Sequence, residues 1–418
     1  MRKVESWKPI EEKFEKRMSK WKLKLLSIGG RLTIINSVLG NMGNYWLSLF
    51  PIPIQVAKNL EALRRDFFWG IAEGEKGITW VKWEKCCLNR SHGGLGINDL
   101  IDTNLSLLYK WHWRLKQEKE ALWTKIIFSI HGKDGKYDGN SLKNTKYLNN
   151  VKIGDGSSTS FWSDRWSEKG VLKDTFPRLY ALETDKGCAA KDRCGKEVSE
   201  WPRRRRIRDG AEKEEETSMR TMLSNMSLNS SEDKWIIPAA PNGTFSTSWI
   251  RGRLEFQKSA GRTSTNLWQK EVPKKINILM WRITNNRIPV REEFSRMGID
   301  VPCTLCPFCE KEVESISHLW FECDWAVWLW TRAGLWWKTS IPRKNKLVDM
   351  IHWVEDLKKD NKSKIIMKVT IYVVIKQIWT TRNEIIFKKF KSRKACYPKP
   401  NNLDTVLKDE IVCQLKSR

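Results

Sequence analysis

Carboxylates are heavily outnumbered in this chain. Its 418 residues carry 49 Asp and Glu against 76 Lys and Arg, with 5 His and no two adjacent aspartates anywhere. The deficit leaves a formal charge of +27, a positive field that calls for a polyanionic partner. The few histidines stand isolated, none beside a Ser or Cys in a nucleophile context, so triad hydrolysis has no candidate. Long apolar runs are also missing. The richest, Ile365 to Trp379, is broken by Lys368 and Lys376, which falls short of a membrane span and predicts a buried or amphipathic helix. No secretory leader is expected, and the alternating Glu11, Glu12, Lys13, Glu15, Lys16 and Arg17 are unlike an acid-poor transit peptide. The 10 cysteines, with an adjacent pair at Cys86 and Cys87 and a tight cluster from Cys303 to Cys323, are therefore expected as reduced thiols and metal ligands rather than disulfides.

What is abundant is aromatic and basic together. Lys82-Trp83 and Lys110-Trp111-His112-Trp113-Arg114 interleave cations with flat rings, which favours nucleic acid over a membrane surface. Most of the 24 Trp are nevertheless expected in cores, because no side chain brings more buried area. A chain of this length has room for roughly two to four domains.

Apolar residues at Trp7, Phe14, Met18, Trp21 and Leu25 predict an amphipathic helix stopped by Gly29-Gly30. Leu32, Ile35 and Leu39 predict a second helix. Val56, Leu60, Leu63 and Phe67 predict a third, leaving Lys58, Arg64 and Arg65 for solvent or phosphate. Gly93-Gly94-Leu95-Gly96-Ile97 lacks the Gly-Lys-Ser/Thr of a phosphate loop and reads as a tight turn feeding a helix from Asp99 to Leu115. Asp155-Gly156, between Val151, Ile153 and Phe161, Trp162, predicts a hairpin turn. The basic run Arg203 to Arg206 and the acidic run Glu214 to Glu216 mark a linker; the arginines fit a nuclear address, a phosphate patch or a solvated charge run equally well. Helical pattern resumes over Lys274–Asn285, Val290–Met297, Asp324–Trp337, Asn345–Lys359 and Lys364–Phe387.

One constellation carries metal chemistry. Cys306 and Cys309 suit a knuckle turn, and His318 and Cys323, five apart, can meet from a short loop and helix start, giving three thiolates and an imidazole for tetrahedral Zn²⁺. Four protein ligands leave no position for water, so such a zinc is structural. Cys303 with Cys306 offers a competing register, and a group of reduced cysteines beside a core histidine is the metal-free alternative.

Several segments together resemble the region downstream of the polymerase core in plant retrotransposons without long terminal repeats, the LINE-type elements. They include Trp21-Lys22, Leu26-Ser27-Ile28-Gly29-Gly30-Arg31-Leu32-Thr33-Ile34-Ile35, Phe67-Phe68-Trp69-Gly70, Trp80-Val81-Lys82-Trp83, and Phe161-Trp162-Ser163-Asp164-Arg165-Trp166. Further on, Pro273-Lys274-Lys275, Trp281-Arg282 and Cys306-Pro307-Phe308-Cys309 with His318-Leu319-Trp320-Phe321-Glu322-Cys323 complete the likeness. The resemblance implies a thumb-like first part that grips a primer and template duplex, and a zinc-binding domain that binds RNA or target DNA. That family polymerises with paired aspartates on a turn after Tyr; no such pair occurs in this sequence, so the catalytic palm is expected to be absent, as is the endonuclease.

The expected architecture is mainly α: a thumb-like helical region (1–125), a mixed segment with a β-hairpin (126–182), a partly disordered linker (183–262), a helical zinc-binding domain (263–340), and C-terminal helices and tail (341–418). The expected function is nucleic-acid binding by a zinc-containing reverse-transcriptase fragment with no catalytic residues of its own. Its expected partners are RNA or DNA and other retroelement proteins, with no membrane and no small-molecule substrate. Expected phosphate contacts are Lys20, Lys22, Lys24, Arg31, Lys274, Lys275, Arg282 and Arg287. The alternatives are the thumb and zinc portion of a polymerase completed by a separate palm, and an inert or protein-interaction zinc domain.

Overall fold

The computed structural model describes residues 4–18, 25–72, 74–118, 120–131, 150–224, 226–237, 240–259 and 267–387. The elements that build its cores are, in chain order, α1 (Lys8–Arg17), α2 (Ile28–Ile34), α3 (Ile54–Trp69), α4 (Leu100–Gln117), β1 (Asn150–Lys152), β2 (Arg165–Ser167), β3 (Gly170–Val171), α5 (Ala211–Ser224), β4 (Lys234–Ile236), α6 (Thr247–Lys258), α7 (Lys274–Thr284), α8 (Asp324–Trp337), α9 (Leu347–Asp356) and α10 (Asn361–Phe387). The protein is mainly helical, as its periodicity predicts. It forms two compact units, one from Met1–Tyr45, Ile52–Leu100 and Glu255–Arg418, the other from Trp46–Pro51 and Ile101–Leu254.

In the first unit, α1, α2 and α3 bury Phe14, Leu32, Val56, Leu60 and Phe67, the positions that the sequence stripes mark. Gly29-Gly30 does not stop a helix, however. The pair lies in the first turn of α2, where the Ser27 hydroxyl accepts from the Gly30 N–H at 3.3 Å. Gly29 is needed for closeness: a Cβ there would lie 2.8 Å from the Lys275 backbone nitrogen, so α2 crosses α7 backbone to backbone. Arg64 is a second correction. It is fully buried, donating to Glu61 Oε1 at 2.8 Å and to the Asn98 carbonyl at 3.0 Å, so it braces α3 instead of facing solvent. The glycine-rich Gly93–Ile97 segment is a tight turn. Its N–H groups at Gly94, Leu95 and Gly96 donate to the carbonyls of Asn89, Cys86 and Leu88, and are spent before any phosphate could use them.

The same unit continues into α7, α8, α9 and α10, which share one apolar core around Met280, Leu319, Trp320, Leu329, Ile351 and Tyr372. Burial of Tyr372 raises its phenol above the ordinary range, and its hydroxyl donates to the Leu267 carbonyl. The helix α10 runs 27 residues and is apolar around much of its circumference, because it is the central member of this core.

The second unit overturns two expectations. Asp155-Gly156 is not a hairpin turn: β1 pairs antiparallel with β4, Val151 opposite Trp235, and the short hairpin is β2–β3. The loop between β1 and Phe161 is instead organised by Asp233. One carboxylate oxygen accepts from the N–H groups of Gly154 (2.7 Å) and Gly156 (2.9 Å), the other from the Ser158 N–H (3.0 Å) and the Thr159 hydroxyl (2.8 Å). Nor is 183–262 a structureless linker where it is described. Met219, Trp235, Ile237, Ile250 and Leu254 enter the core with Phe161, Trp162 and Trp201. Members of its charge runs find partners outside the runs, Arg205 on Glu212 at 2.7 Å and Glu215 on Arg178 at 3.1 Å, while Glu183 and Arg193 form a buried pair at 3.1 Å. Composition alone counts such charges as solvated; pairing across 7 to 37 residues changes that.

Candidate metal centre

Cys306 and Cys309 lie on a knuckle. The Cys306 N–H donates to the Glu312 carbonyl at 2.7 Å and the Glu310 N–H to the Cys306 carbonyl at 2.9 Å, while Glu310 takes the left-handed conformation (φ 57°) that turns the chain. Leu305 bridges Val313 to close the loop. His318 opens a π-helical turn, His318–Glu322, and the Cys323 N–H reaches back to the His318 carbonyl at 2.8 Å. This five-residue step sets the His318 to Cys323 spacing, and Cys323 then caps α8.

These two pieces bring one donor atom from each of Cys306, Cys309, His318 and Cys323 within 4.8 Å of one another. Cys306 Sγ lies 3.9 Å from Cys323 Sγ, and Cys309 Sγ lies 3.2 Å from His318 Nε2. Thiolates about 2.3 Å from a tetrahedral ion would be separated by roughly 3.8 Å, so the donor set fits Zn²⁺. Cys306, His318 and Cys323 are buried and Cys309 is half-buried. The thiol proton of Cys306 is directed at Cys323, and that hydrogen bond, followed by burial, pushes Cys306 up; the same bond holds Cys323 below the ordinary thiol range. Cys303 is exposed and stands apart, its sulfur 3.7 Å from Arg291 Nη1, so the competing register does not form.

The other thiols contrast with these. Cys86 and Cys188 are pushed up to about 12 and Cys194 to about 11, chiefly by burial, which leaves them protonated apolar packing. All eight described cysteines are free.

Beside the knuckle lies a buried ion pair with no local signal in the sequence. Fully buried Glu314, one residue past the bridge, accepts from Arg382 of α10 at both oxygens (2.7 and 2.9 Å) and from the Arg291 N–H at 2.9 Å. Arg382 also donates to the Pro289 carbonyl at 3.1 Å. The pair pins the loop that carries two donors to the central helix of the core, from 68 residues away.

The expected phosphate contacts divide. Lys20, Lys22 and Lys24 lie outside the described residues. Arg31, Lys274 and Lys275 meet at the α2–α7 crossing: Lys275 is exposed, Lys274 Nζ donates to the Thr33 hydroxyl at 2.9 Å, and Arg31 is half-buried against Gly70. Arg282 is half-buried, its guanidinium 5.1 Å from the centre of the Trp80 ring and 5.7 Å from that of Trp69, and desolvation lowers it to about 10. Its role there is packing. Arg287 is exposed and faces Glu293 at 3.6 Å. Among the interleaved aromatics, Trp83 donates to Glu61 at 2.7 Å and Trp111 to the Ser48 carbonyl at 2.7 Å, so these rings serve the cores.

A cluster of three cysteines and a histidine at the foot of a helical core could hold a metal ion. Residues 245–330 match the family described as zinc-binding in reverse transcriptase, so this chain carries a segment related to reverse transcriptases. A protein of Arabidopsis thaliana named "Putative ribonuclease H protein" is 27% identical over 359 residues, covering 78% of this chain and 55% of that protein. The chain thus spans about half the length of that relative. An "Uncharacterized mitochondrial protein" of the same plant is 29% identical over 138 residues, which is 29% of this chain and 90% of that protein.

Proposed function

We propose that this chain is a nucleic-acid-binding, zinc-stabilised portion of a retroelement reverse transcriptase, of the plant LINE type, which binds RNA or DNA without polymerising or cutting it. The observation that carries the reading is the convergence of Cys306, Cys309, His318 and Cys323 within the segment that matches the reverse-transcriptase zinc family. Three thiolates and an imidazole fill a tetrahedral sphere, so the ion would fix the fold and leave no position for a reacting water. Its role is to hold the knuckle on the helical core, which carries exposed Lys275 and Lys274 at the α2–α7 crossing. The formal charge of +27 supplies the attraction for phosphate.

The test is binding of the zinc-loaded chain to a labelled RNA and to a primer–template duplex across a salt series, with Cys309→Ser alongside. Saturable binding with a slope of about −0.7 to −0.9 per phosphate contact, weakened in the variant, is the expected result. Absence of saturable binding by the native chain overturns the reading and leaves an inert zinc domain.

A further inference from the structure

Residues between Phe321 and Met350 enclose a cavity of about 730 Å³ that the metal centre does not use. Phe321, Trp330 and Ile341 give it an apolar floor. Lys338, Arg343 and Lys344 stand at its rim, and among the described residues no carboxylate lines it. All three cationic side chains are exposed, and among the described residues none has an ion-pair or hydrogen-bond partner for its charged group. Elsewhere the cations are repeatedly matched, Arg205 by Glu212, Arg178 by Glu215, and Arg296 by Glu293. At this hollow three unmatched cations border one apolar floor.

The backbone at the rim adds a second observation. Lys338 ends α8 in the left-handed conformation, φ 48° and ψ 41°, and the Thr339 N–H donates to the Gly334 carbonyl at 3.0 Å. Glycine takes that conformation at no steric cost, and a lysine does not. The helix dipole accounts for a cation near this end. The turn itself directs the chain back along the cavity, where Ser340 through Lys344 form its far wall.

The volume lies within the range of about 300–1,000 Å³ of small-ligand sites, and an apolar floor with a cationic rim suits a flat, weakly polar ring that carries phosphate on either side. A closed duplex keeps its base faces stacked inside and would leave the floor uncovered. We infer that this cavity seats one nucleotide of a single strand, its base on the apolar floor and the flanking phosphates on Lys338, Arg343 and Lys344. This inference rests on the nucleic-acid reading above and assigns it a point of entry for an unpaired strand.

The experiment uses the full, zinc-loaded chain with a short labelled oligouridylate, the same strand annealed to its complement, and anionic phospholipid vesicles. The native chain is compared with the triple variant Lys338→Gln, Arg343→Gln, Lys344→Gln and with Thr331→Glu, which sets a carboxylate in the cavity from an exposed position. All the changed side chains are exposed, and unaltered zinc content verifies that each variant is folded. The triple variant is expected to lose about 2 from the magnitude of the salt slope for the single strand, at roughly 0.7 per contact, and less for the duplex. Thr331→Glu weakens strand binding, and a thiouridine in the strand crosslinks to the peptide spanning Trp330 to Lys344. Strand binding with an unchanged slope in both variants overturns the cavity while leaving nucleic-acid binding in place. Equal loss for vesicles and strand overturns it in favour of a membrane-facing patch. Failure of the native chain to bind either form of the oligonucleotide overturns both.

Discussion

The segments around Cys306–Cys323 and around Gly154–Thr159 face the same physical problem with different donors. Each is an irregular stretch in a helical protein, with little sheet to satisfy its backbone. In the first, a knuckle and a π-helical turn set four soft ligands within 4.8 Å of one another. In the second, a single carboxylate, Asp233, collects the N–H groups of Gly154, Gly156 and Ser158. The metal ligands span 17 residues, whereas Asp233 reaches Ser158 across 75. A loop held by a cation depends on something outside the chain; a loop held by a carboxylate depends on pH.

Removing metal should separate the two most sharply. Structural zinc contributes apparent binding free energies of about 10–16 kcal/mol that are also folding energy. Chelation, or Cys309→Ser, should therefore strip amide-exchange protection from Thr304 to Cys323 while the Gly154–Thr159 amides, in the other compact unit, keep theirs. Parallel loss in both would show that the contrast is false. Next in size are the buried ion pairs. Arg382→Met takes the two-point cation from Glu314 and leaves it the Arg291 N–H beside the knuckle, and Glu183→Gln takes the carboxylate from Arg193 in the second unit. Each should cost about 3–5 kcal/mol in denaturant unfolding. If Arg382→Met leaves the midpoint unmoved with zinc bound, the pair does not pin the donor loop.

Asp233→Asn is expected to cost about 1–3 kcal/mol, and its signature is in pH. Burial pushes Asp233 up, but the hydrogen bonds from Gly154, Thr159, Gly156 and Ser158 together hold it below the ordinary carboxylate range. A depressed folded pKa means that the stabilisation is complete above the unfolded value of about 3.9 and is lost as pH falls through the folded value. Acid titration of the exchange rates at Gly154–Thr159 should show that loss in the native chain and not in the variant. The smallest effect belongs to Cys303→Ser. With its thiol exposed and outside the donor cluster, the change should stay within about 0.5 kcal/mol and leave one zinc per chain by metal analysis. A fall in zinc content would restore the competing register.

Much of this was legible in the residues. The stripes at Leu32, Ile35 and Leu39, and at Val56, Leu60 and Phe67, face cores because helical spacing fixes which side chains share a side. The span Asp324–Trp337 is a helix end to end. The ligand quartet was readable because soft donors at short spacing leave few geometries. Other features were not legible, for identifiable reasons. Gly29-Gly30 reads as a stop by propensity, yet a helix crossing needs a missing Cβ as much as a turn does. Arg282 and Arg64 read as phosphate or solvent contacts, but the rings of Trp69 and Trp80 enclose one, and Glu61 with the Asn98 carbonyl enclose the other.

The sequence by itself determined the helical class and the positive field and narrowed the candidate metal donors to a few soft side chains, because periodicity, charge and ligand chemistry are local or additive properties. The tertiary structure alone decided which cations remain free, that Glu314 is tied to Arg382, that Asp233 closes a loop far from it in the chain, and that Lys338, Arg343 and Lys344 border one cavity. Those outcomes depend on which distant segments come within hydrogen-bonding distance, and pairing across such separations is set by the packing of the whole unit.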